Sequence, residues 1–384
     1  MSDRKSEILS QLEQGKINAS EAFEMLNQLS EHTTSSQHDT EYCGNGPAPQ
    51  AQDAPPPHTH PGWVEGLVGD ISGAVQDAIE GIKDMNIGVS ISEFMDGTYG
   101  HHKNTMTFTS NPVLQGISKL VIIGKNARVS VNGYDGNVIR VKCAYDARHP
   151  NTEVLFHEEN GIYQVMYDES RIRTMEIACE VPHAMINSAH IASKNGAIHV
   201  QDIRAVDVAL YTKNAKILAN NINCAKFVAQ SRNDAIKVRT LASSNVHLET
   251  TNAKIHTEDM RADNAQLKTS NSGIKIEKID VANLKLHTTN TGLKLDKLNV
   301  GSWHGVRTLE AYTTNGGISL STLSDIGVRV YACAAGGKLI WKKDDIYFSE
   351  SSKYQAQGES SNYAICEGKL NVRLSTTNAS IKIK

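Results

Sequence analysis

The sequence predicts a mainly β protein: a right-handed β-solenoid of about 19-residue coils, preceded by a small helical hairpin and an amphipathic helix. Three observations carry that prediction. A Ser/Thr-x-Asn tripeptide places Asn195, Asn214, Asn233, Asn252, Asn271 and Asn290 at intervals of 19 residues, and it returns at Asn315 and Asn378. Apolar residues recur at fixed offsets from those asparagines, which is the signature of a stacked repeat. No proline follows Pro182, as unbroken ladder hydrogen bonding requires, because proline has no N–H to donate.

The elements follow in chain order. Residues 1–30 read as a helical hairpin. Ile8, Leu9 and Leu12 form an apolar stripe that Gly15 ends. Asn18 and Glu21 supply an N-cap and its reciprocal acid. Ala22, Phe23, Leu26 and Leu29 continue at helical spacing. So short a segment cannot bury a core alone, so it is expected to dock on a partner protein or to dimerise. Residues 31–62 contain no Val, Ile, Leu, Met or Phe, and hold six of the nine prolines. That is the composition of a disordered linker. Its His58-Thr59-His60 is a weak metal signal in a segment that does not preorganise ligands. Residues 63–90 carry the amphipathic helix. Trp63, Leu67, Ile71, Val75, Ile79 and Ile82 lie on one face, and Glu65, Asp70, Asp77, Glu80 and Asp84 on the other. An acidic polar face favours docking on protein over anionic lipid.

Residues 113–384 form the solenoid. Three positions after each motif asparagine stand Ile198, Ile217, Ile236, Ile255, Ile274, Leu293, Ile318 and Ile381. Four positions before it stand Ile191, Leu210, Ala229, Leu248, Leu267, Leu286, Ala311 and Leu374. Eight positions after it the column runs from Ile203 through Met260 to Leu298 and Leu323. Apolar columns separated by polar ones mean period-2 strands with one face inward. Nineteen residues leave no room for a helix, so coils stack directly at the ~4.8 Å strand spacing. Asn195, Asn214, Asn233, Asn252, Asn271, Asn290, Asn315 and Asn378 are then expected to form an amide ladder at a corner, with a hydroxyl ladder from the Ser/Thr column beside it.

Composition narrows the function. Lys plus Arg is 39 against 42 Asp plus Glu, a net charge of −3, which argues against a nucleic-acid-coating protein. None of the six cysteines forms a Cys-x-x-Cys, and no cofactor or metal is expected. Cys143, Cys179, Cys224 and Cys366 alternate with apolar neighbours and read as buried, inert thiols. The absence of an early apolar run and of any ~18-residue apolar span points to the cytoplasm, with room for peripheral association with the cell envelope. One outward column is suggestive. Four positions after the asparagines stand Lys237, Lys275, Lys294 and Lys382, an expected strip for an anionic polymer or lipid headgroups. The competing reading is a solvated, edge-protecting face. No Gly-x-Ser-x-Gly, His-Glu-x-x-His or P-loop occurs, and outward columns do not stack acids on neighbouring coils, so no enzyme is expected.

The run Met175-Glu176-Ile177-Ala178-Cys179-Glu180-Val181-Pro182, followed by Ser193-Lys194-Asn195-Gly196-Ala197-Ile198-His199-Val200, resembles the bacterial "putative adhesin" β-strand-repeat domain. The closing Leu374-Ser375-Thr376-Thr377-Asn378-Ala379-Ser380-Ile381 resembles it too. The opening Ile8-Leu9 to Lys16-Ile17 and Ala19-Ser20-Glu21-Ala22 is similar to the short, SHOCT-like helical module that heads YvlB/LiaX-like proteins of Gram-positive bacteria. The resemblance implies a non-enzymatic binding or regulatory protein of the cell-envelope stress response. Its solenoid would be the scaffold or ligand-sensing face, and its helices would dock a protein partner. The alternatives are a filament-forming cytoskeletal solenoid and, with less support, a carbohydrate-active β-helix enzyme. Oligomerisation is left open.

Overall fold

The computed structural model describes residues 104–113, 118–183, 186–296, 305–321, 326–342 and 346–384. The expected hairpin at 1–30, linker at 31–62 and helix at 63–90 lie outside the described residues, as do Leu298 and Leu323. All regular structure among the described residues is strand, and it begins at Asn104, before the expected start at 113.

The first part holds β1 (Asn104–Pro112), β2 (Ser118–Gly124), β3 (Ala127–Tyr134), β4 (Val138–Ala147), β5 (Val154–Glu159), β6 (Ile162–Tyr167), β7 (Ile172–Pro182) and β8 (Ile186–Ser193). The repeat follows as five 15-residue strands: β9 (Ile198–Thr212), β10 (Ile217–Ser231), β11 (Ile236–Thr250), β12 (Ile255–Thr269) and β13 (Ile274–Thr288). The last part holds β14 (Leu293–Leu295), β15 (Gly305–Thr313), β16 (Ile318–Leu320), β17 (Gly327–Ala334), β18 (Leu339–Trp341), β19 (Ile346–Ser351), β20 (Gln355–Ser360), β21 (Gly368–Thr376) and β22 (Ile381–Ile383).

Strands β9 to β13 stack in parallel with a constant offset of one repeat, so that Ile217 pairs with Ile236, Ile236 with Ile255 and Ile255 with Ile274. Each long strand turns a corner. Its first residues join one flank of the stack and its last six join a second, with Asp202 and Asn221 taking left-handed backbone at the bend, a conformation that Asp and Asn tolerate best among residues with a side chain. The apolar columns at the motif positions are buried between the flanks from end to end. Each Ile, Leu or Met in them contributes roughly 1.5–3 kcal/mol of burial, and the register keeps every one of them inward.

The corner between coils is held by two sets of side-chain bonds. Nine exposed asparagines form an unbroken amide ladder. Asn195 donates to Asn126, Asn214 to Asn195 and Asn233 to Asn214, each at 2.7 Å. The series continues through Asn252, Asn271, Asn290 and Asn315 to Asn378. The Ser/Thr column does not form a hydroxyl ladder. Apart from Thr212, whose buried hydroxyl has no partner among the described residues, its hydroxyls donate instead to a backbone carbonyl of the neighbouring coil, as Ser193 does to Ala127 at 2.7 Å, Thr288 to Ser272 at 2.8 Å and Thr376 to Gly316 at 2.9 Å. A carbonyl has a lone pair to spare beyond its ladder bond, so this satisfies a buried hydroxyl at no cost to the sheet.

The stacking order departs from chain order near both ends. The coil of β2 and β3 lies between β6 and β8 on one flank and between β7 and β9 on the other. The coil of β21 and β22 lies between β15 and β17 and between β16 and β18. Antiparallel strands close the stack. β1 pairs with β4 and β5 with β6 at one end, and β19 pairs with β20 at the other.

Candidate functional site

Outward side chains on a strand alternate, so residues two apart on one strand, or level on neighbouring coils, share a surface. On the first flank this rule brings the expected lysines into one column. Lys237 is level with His256, His256 with Lys275, and Lys275 with Lys294. Lys382 lies further along, level with Ser319 and Ile340.

The column is not a bare basic strip. Two residues on from it Glu258, Glu277 and Asp296 stand level on successive coils, which corrects the expectation that outward columns do not stack acids; each is held there by a lysine of the neighbouring column. Lys237 contacts Glu258 at 2.7 Å, Lys275 contacts Glu277 at 2.6 Å, and Lys294 contacts Asp296 at 2.7 Å. Arg239 adds to Glu258 at 3.6 Å and His256 to Glu277 at 3.0 Å. The hydrogen bond from Lys237 holds the Glu258 carboxyl below its ordinary range. Bonds from Lys275 and His256 bring Glu277 down to about 2, and the Glu277 bond raises Lys275. The positive charge of three of the four lysines is thus matched within the face. Lys382 has no carboxylate partner among the described residues. The acid column was legible in Lys275-Ile276-Glu277 and Lys294-Leu295-Asp296, because i and i+2 on a strand point the same way.

The second flank carries features that no sequence motif marks. Asn264 donates to Asn245 and Asn283 to Asn264, each at 3.1 Å, and the Thr308 hydroxyl donates to Asn283 at 2.8 Å. This second amide ladder stands seven residues before the first one in each coil. The next outward column holds Val228, His247, Gln266 and Lys285. Between the two runs a groove of about 290 Å³ along the stack, with Lys226 at one end and Lys285 at the other. His247 contacts Glu249 at 3.3 Å, and Lys268 contacts the same carboxylate at 3.0 Å. Together these hold Glu249 at about 2.

The buried thiols of Cys143, Cys179 and Cys224 are poor nucleophiles. Burial pushes Cys143 up to about 12 and Cys224 up to about 11, and it raises Cys179 further. Cys366 departs from the expected buried set: it lies in the turn before β21 and is only half-buried. Among the described residues no three His, Cys, Asp or Glu side chains gather as metal ligands. No described helix is long and apolar enough to cross a membrane.

An elongated stack of short parallel coils, stitched by corner ladders and ended by antiparallel strands, defines a β-solenoid of the strand-repeat class. Residues 124–384 match the Toastrack DUF4097 family model, and the chain belongs to that family. Solved structures align over 73 % of the chain. A "putative adhesin" from Parabacteroides merdae ATCC 43184 is 7 % identical with a TM-score of 0.41, over 97 % of its length. A "putative adhesin" from Bacteroides fragilis NCTC 9343 is 10 % identical with a TM-score of 0.33, over 98 % of its length. A "putative lipid binding protein" from Parabacteroides distasonis ATCC 8503 is 10 % identical with a TM-score of 0.37, over 97 % of its length. No curated protein sequence matches the chain.

Proposed function

We propose that this chain is a non-enzymatic binding protein of the bacterial cell-envelope stress response, whose solenoid holds an extended ligand along the stack. The observation that carries the reading is the second-flank groove. Its walls are fixed by register and by the Asn245–Asn264–Asn283 ladder, so donors and acceptors repeat at one-coil spacing before any ligand arrives. Preorganised groups of that kind lower the ordering cost of binding. Amides, an imidazole and a lysine at each end, of which Lys285 contacts Glu310 at 3.5 Å, suit a linear polymer that carries hydroxyl groups and a modest density of phosphate or carboxylate, the chemistry of anionic wall polymers. The Lys237, Lys275, Lys294 and Lys382 strip is the second candidate face, and its built-in carboxylates compete with any polyanion.

The test is adsorption to a glycerol-phosphate polymer at low and physiological salt. Gln266→Trp, which fills the groove, is expected to weaken adsorption at least tenfold. The triple change of Lys237, Lys275 and Lys294 to Glu is expected to weaken it less. Adsorption that survives Gln266→Trp, or wild-type protein that never adsorbs, refutes the groove. Fractionation that finds the protein only in free cytosol, unchanged by envelope-active antibiotics, refutes the stress-response role.

A further inference from the structure

On the second flank one row of level residues crosses six strands. His157 pairs with Gln164, Gln164 with Val121, Val121 with His190, His190 with Ala209 and Ala209 with Val228. These side chains point away from the core, because their chain neighbours, such as Leu120 and Ile122 around Val121 and Val208 and Leu210 around Ala209, point into it. All six are nevertheless buried: Val121 is 5 % exposed, His190 8 %, and Ala209 and Val228 3 % each. The row continues through His247, Gln266 and Lys285, where the His247 side chain is 26 % exposed and that of Lys285 65 %. Every described strand belongs to the one sheet, so no second layer of described strands covers the row. Polar atoms are sealed there as well. His190 Nε2 lies 3.2 Å from Asp207, while His190 Nδ1 and the other Asp207 carboxylate oxygen are buried without a hydrogen-bond partner among the described residues. The column beside the row is apolar and half-buried, with Leu155, Met166, Ile123, Ala192 and Tyr211.

We propose that this face is the seat of residues 78–103, the stretch that leads into β1, laid along the stack from β5 to β10. The row spans about 24 Å at the ~4.8 Å strand spacing. Only the chain before Asn104 is long enough to cover it. The other stretches outside the described residues run to at most eight residues, and that longest one, 297–304, follows β14, well beyond β10. Residues 78–103 end at β1, which pairs with β4 at the same end of the stack as β5 and β6, where the buried row begins. Even as a helix they would reach about 39 Å. They offer Ile79, Ile82, Met85, Ile87, Val89 and Ile91 to an apolar surface, whereas 31–62 offers no such residue. Charge agrees with this. Glu80, Asp84, Glu93 and Asp96 outnumber Lys83 and Lys103, and the other column bordering the row carries Lys119 and Lys226, with Asp207 between them paired to His190. Direct linkage to β1 holds the segment at high effective concentration, so it occupies the face ahead of a free partner. Val228 is both the last buried residue of the row and a wall of the groove, so the seated segment and the groove share one track along the flank.

Thiol labelling of the full chain tests this, with the modified sites read by mass spectrometry. In the Ala209→Cys variant a maleimide is expected to react at position 209 at least tenfold more slowly than at position 266 in the Gln266→Cys variant, which lies in the same row beyond the seat. Adding Ile79→Asp, Ile82→Asp and Val89→Asp to Ala209→Cys should speed labelling at position 209 at least tenfold. Those three positions precede the first strand, so circular dichroism and slow amide exchange in 217–288 should not change. Equal labelling at 209 and 266 in the single variants would show an open face. Slow labelling at 209 that the triple change leaves untouched would assign the cover to another part of the chain. Slow labelling that is lost on dilution would assign it to a second copy. Each of these three results overturns the proposal. None of the readouts depends on polymer binding by the groove.

Discussion

Single residues show how closely neighbouring coils approach. A Cβ on Gly196 would run into the Ala127 carbonyl, and one on Gly316 into the Thr291 carbonyl. Other coils place Ala215, Asp234, Ala253 or Ser272 at the same corner position without such a collision. The glycines stand where the neighbouring coil is not the preceding 19-residue repeat: Gly196 stacks on the coil of β3, and Gly316 follows an interval of 25 residues. Gly316→Ala is expected to cost about 1–3 kcal/mol through overpacking, while Ala253→Gly should change stability far less; thermal melts of both compare them directly. Ile255→Asp should disrupt the fold much more than Lys254→Asp. Ile255 is buried and Lys254 is exposed in the turn, and an unpaired buried carboxylate costs several kcal/mol as an order of magnitude. Equal losses from both would contradict the column assignment.

Among the elements, the ladders and the ion-pair columns divide the labour. The amide ladder is exposed, so each bond contributes at the low end of ~0.5–1.5 kcal/mol. Asn252→Leu breaks two bonds at once, to Asn233 and from Asn271. It should lower the urea midpoint more than loss of the terminal Asn378, which has one. The paired acids set the pH response. Glu249 and Glu277 are held at about 2, below their unfolded values. Their contribution is therefore present above pH ~4.3 and is lost as pH falls toward 2. Acid titration of the double variant Glu249→Gln and Glu277→Gln should show a flatter decline across that window, and a decline as steep as wild type would count against the pairing. These elements were unequally legible in sequence. The inward columns and the first ladder follow from the 19-residue period alone. Asn126 escaped because Gly124 stands where the motif requires Ser or Thr, and the Tyr167 hydroxyl occupies the space of the missing side chain. The second ladder shares the period but lacks a flanking tripeptide to mark it. The acids beside the lysines required attention to i+2 neighbours as well as to the stacked column.

On the scale of the whole molecule, period gave no clue to the stacking order near the ends. Asn315 and Asn378 are neighbours across 63 residues, and only the sheet register shows that β17 to β20 lie beyond the closing coil and not before it. The reason is physical. Ladder pairing is satisfied by any strand of matching pattern, and a local repeat carries no information about which copy comes next. Removal of residues 368–384 should therefore do more than shorten the stack. It takes away the coil that, among the described residues, joins β15 and β16 to β17 and β18. Hydrogen exchange in the truncated chain should show lost protection throughout 327–360 while 217–288 stays slow. Protection retained in 327–360 would mean that the terminal hairpin stands without its support.

The inserted coil also has a consequence for biosynthesis. β17 to β20 leave the ribosome before β21 and β22, yet β21 and β22 occupy the place between them and the coil of β15 and β16. Until residues 368–383 have been translated, the edges of β15 and β16 stay uncovered and β17 to β20 have no coil to rest on. Long-range closure of that kind is slow, and unpaired edges invite association with other chains. The vulnerable interval in this protein's production is therefore the synthesis of β21 and β22, when a pause in elongation leaves the edges of β15 and β16 exposed and β17 to β20 unsupported.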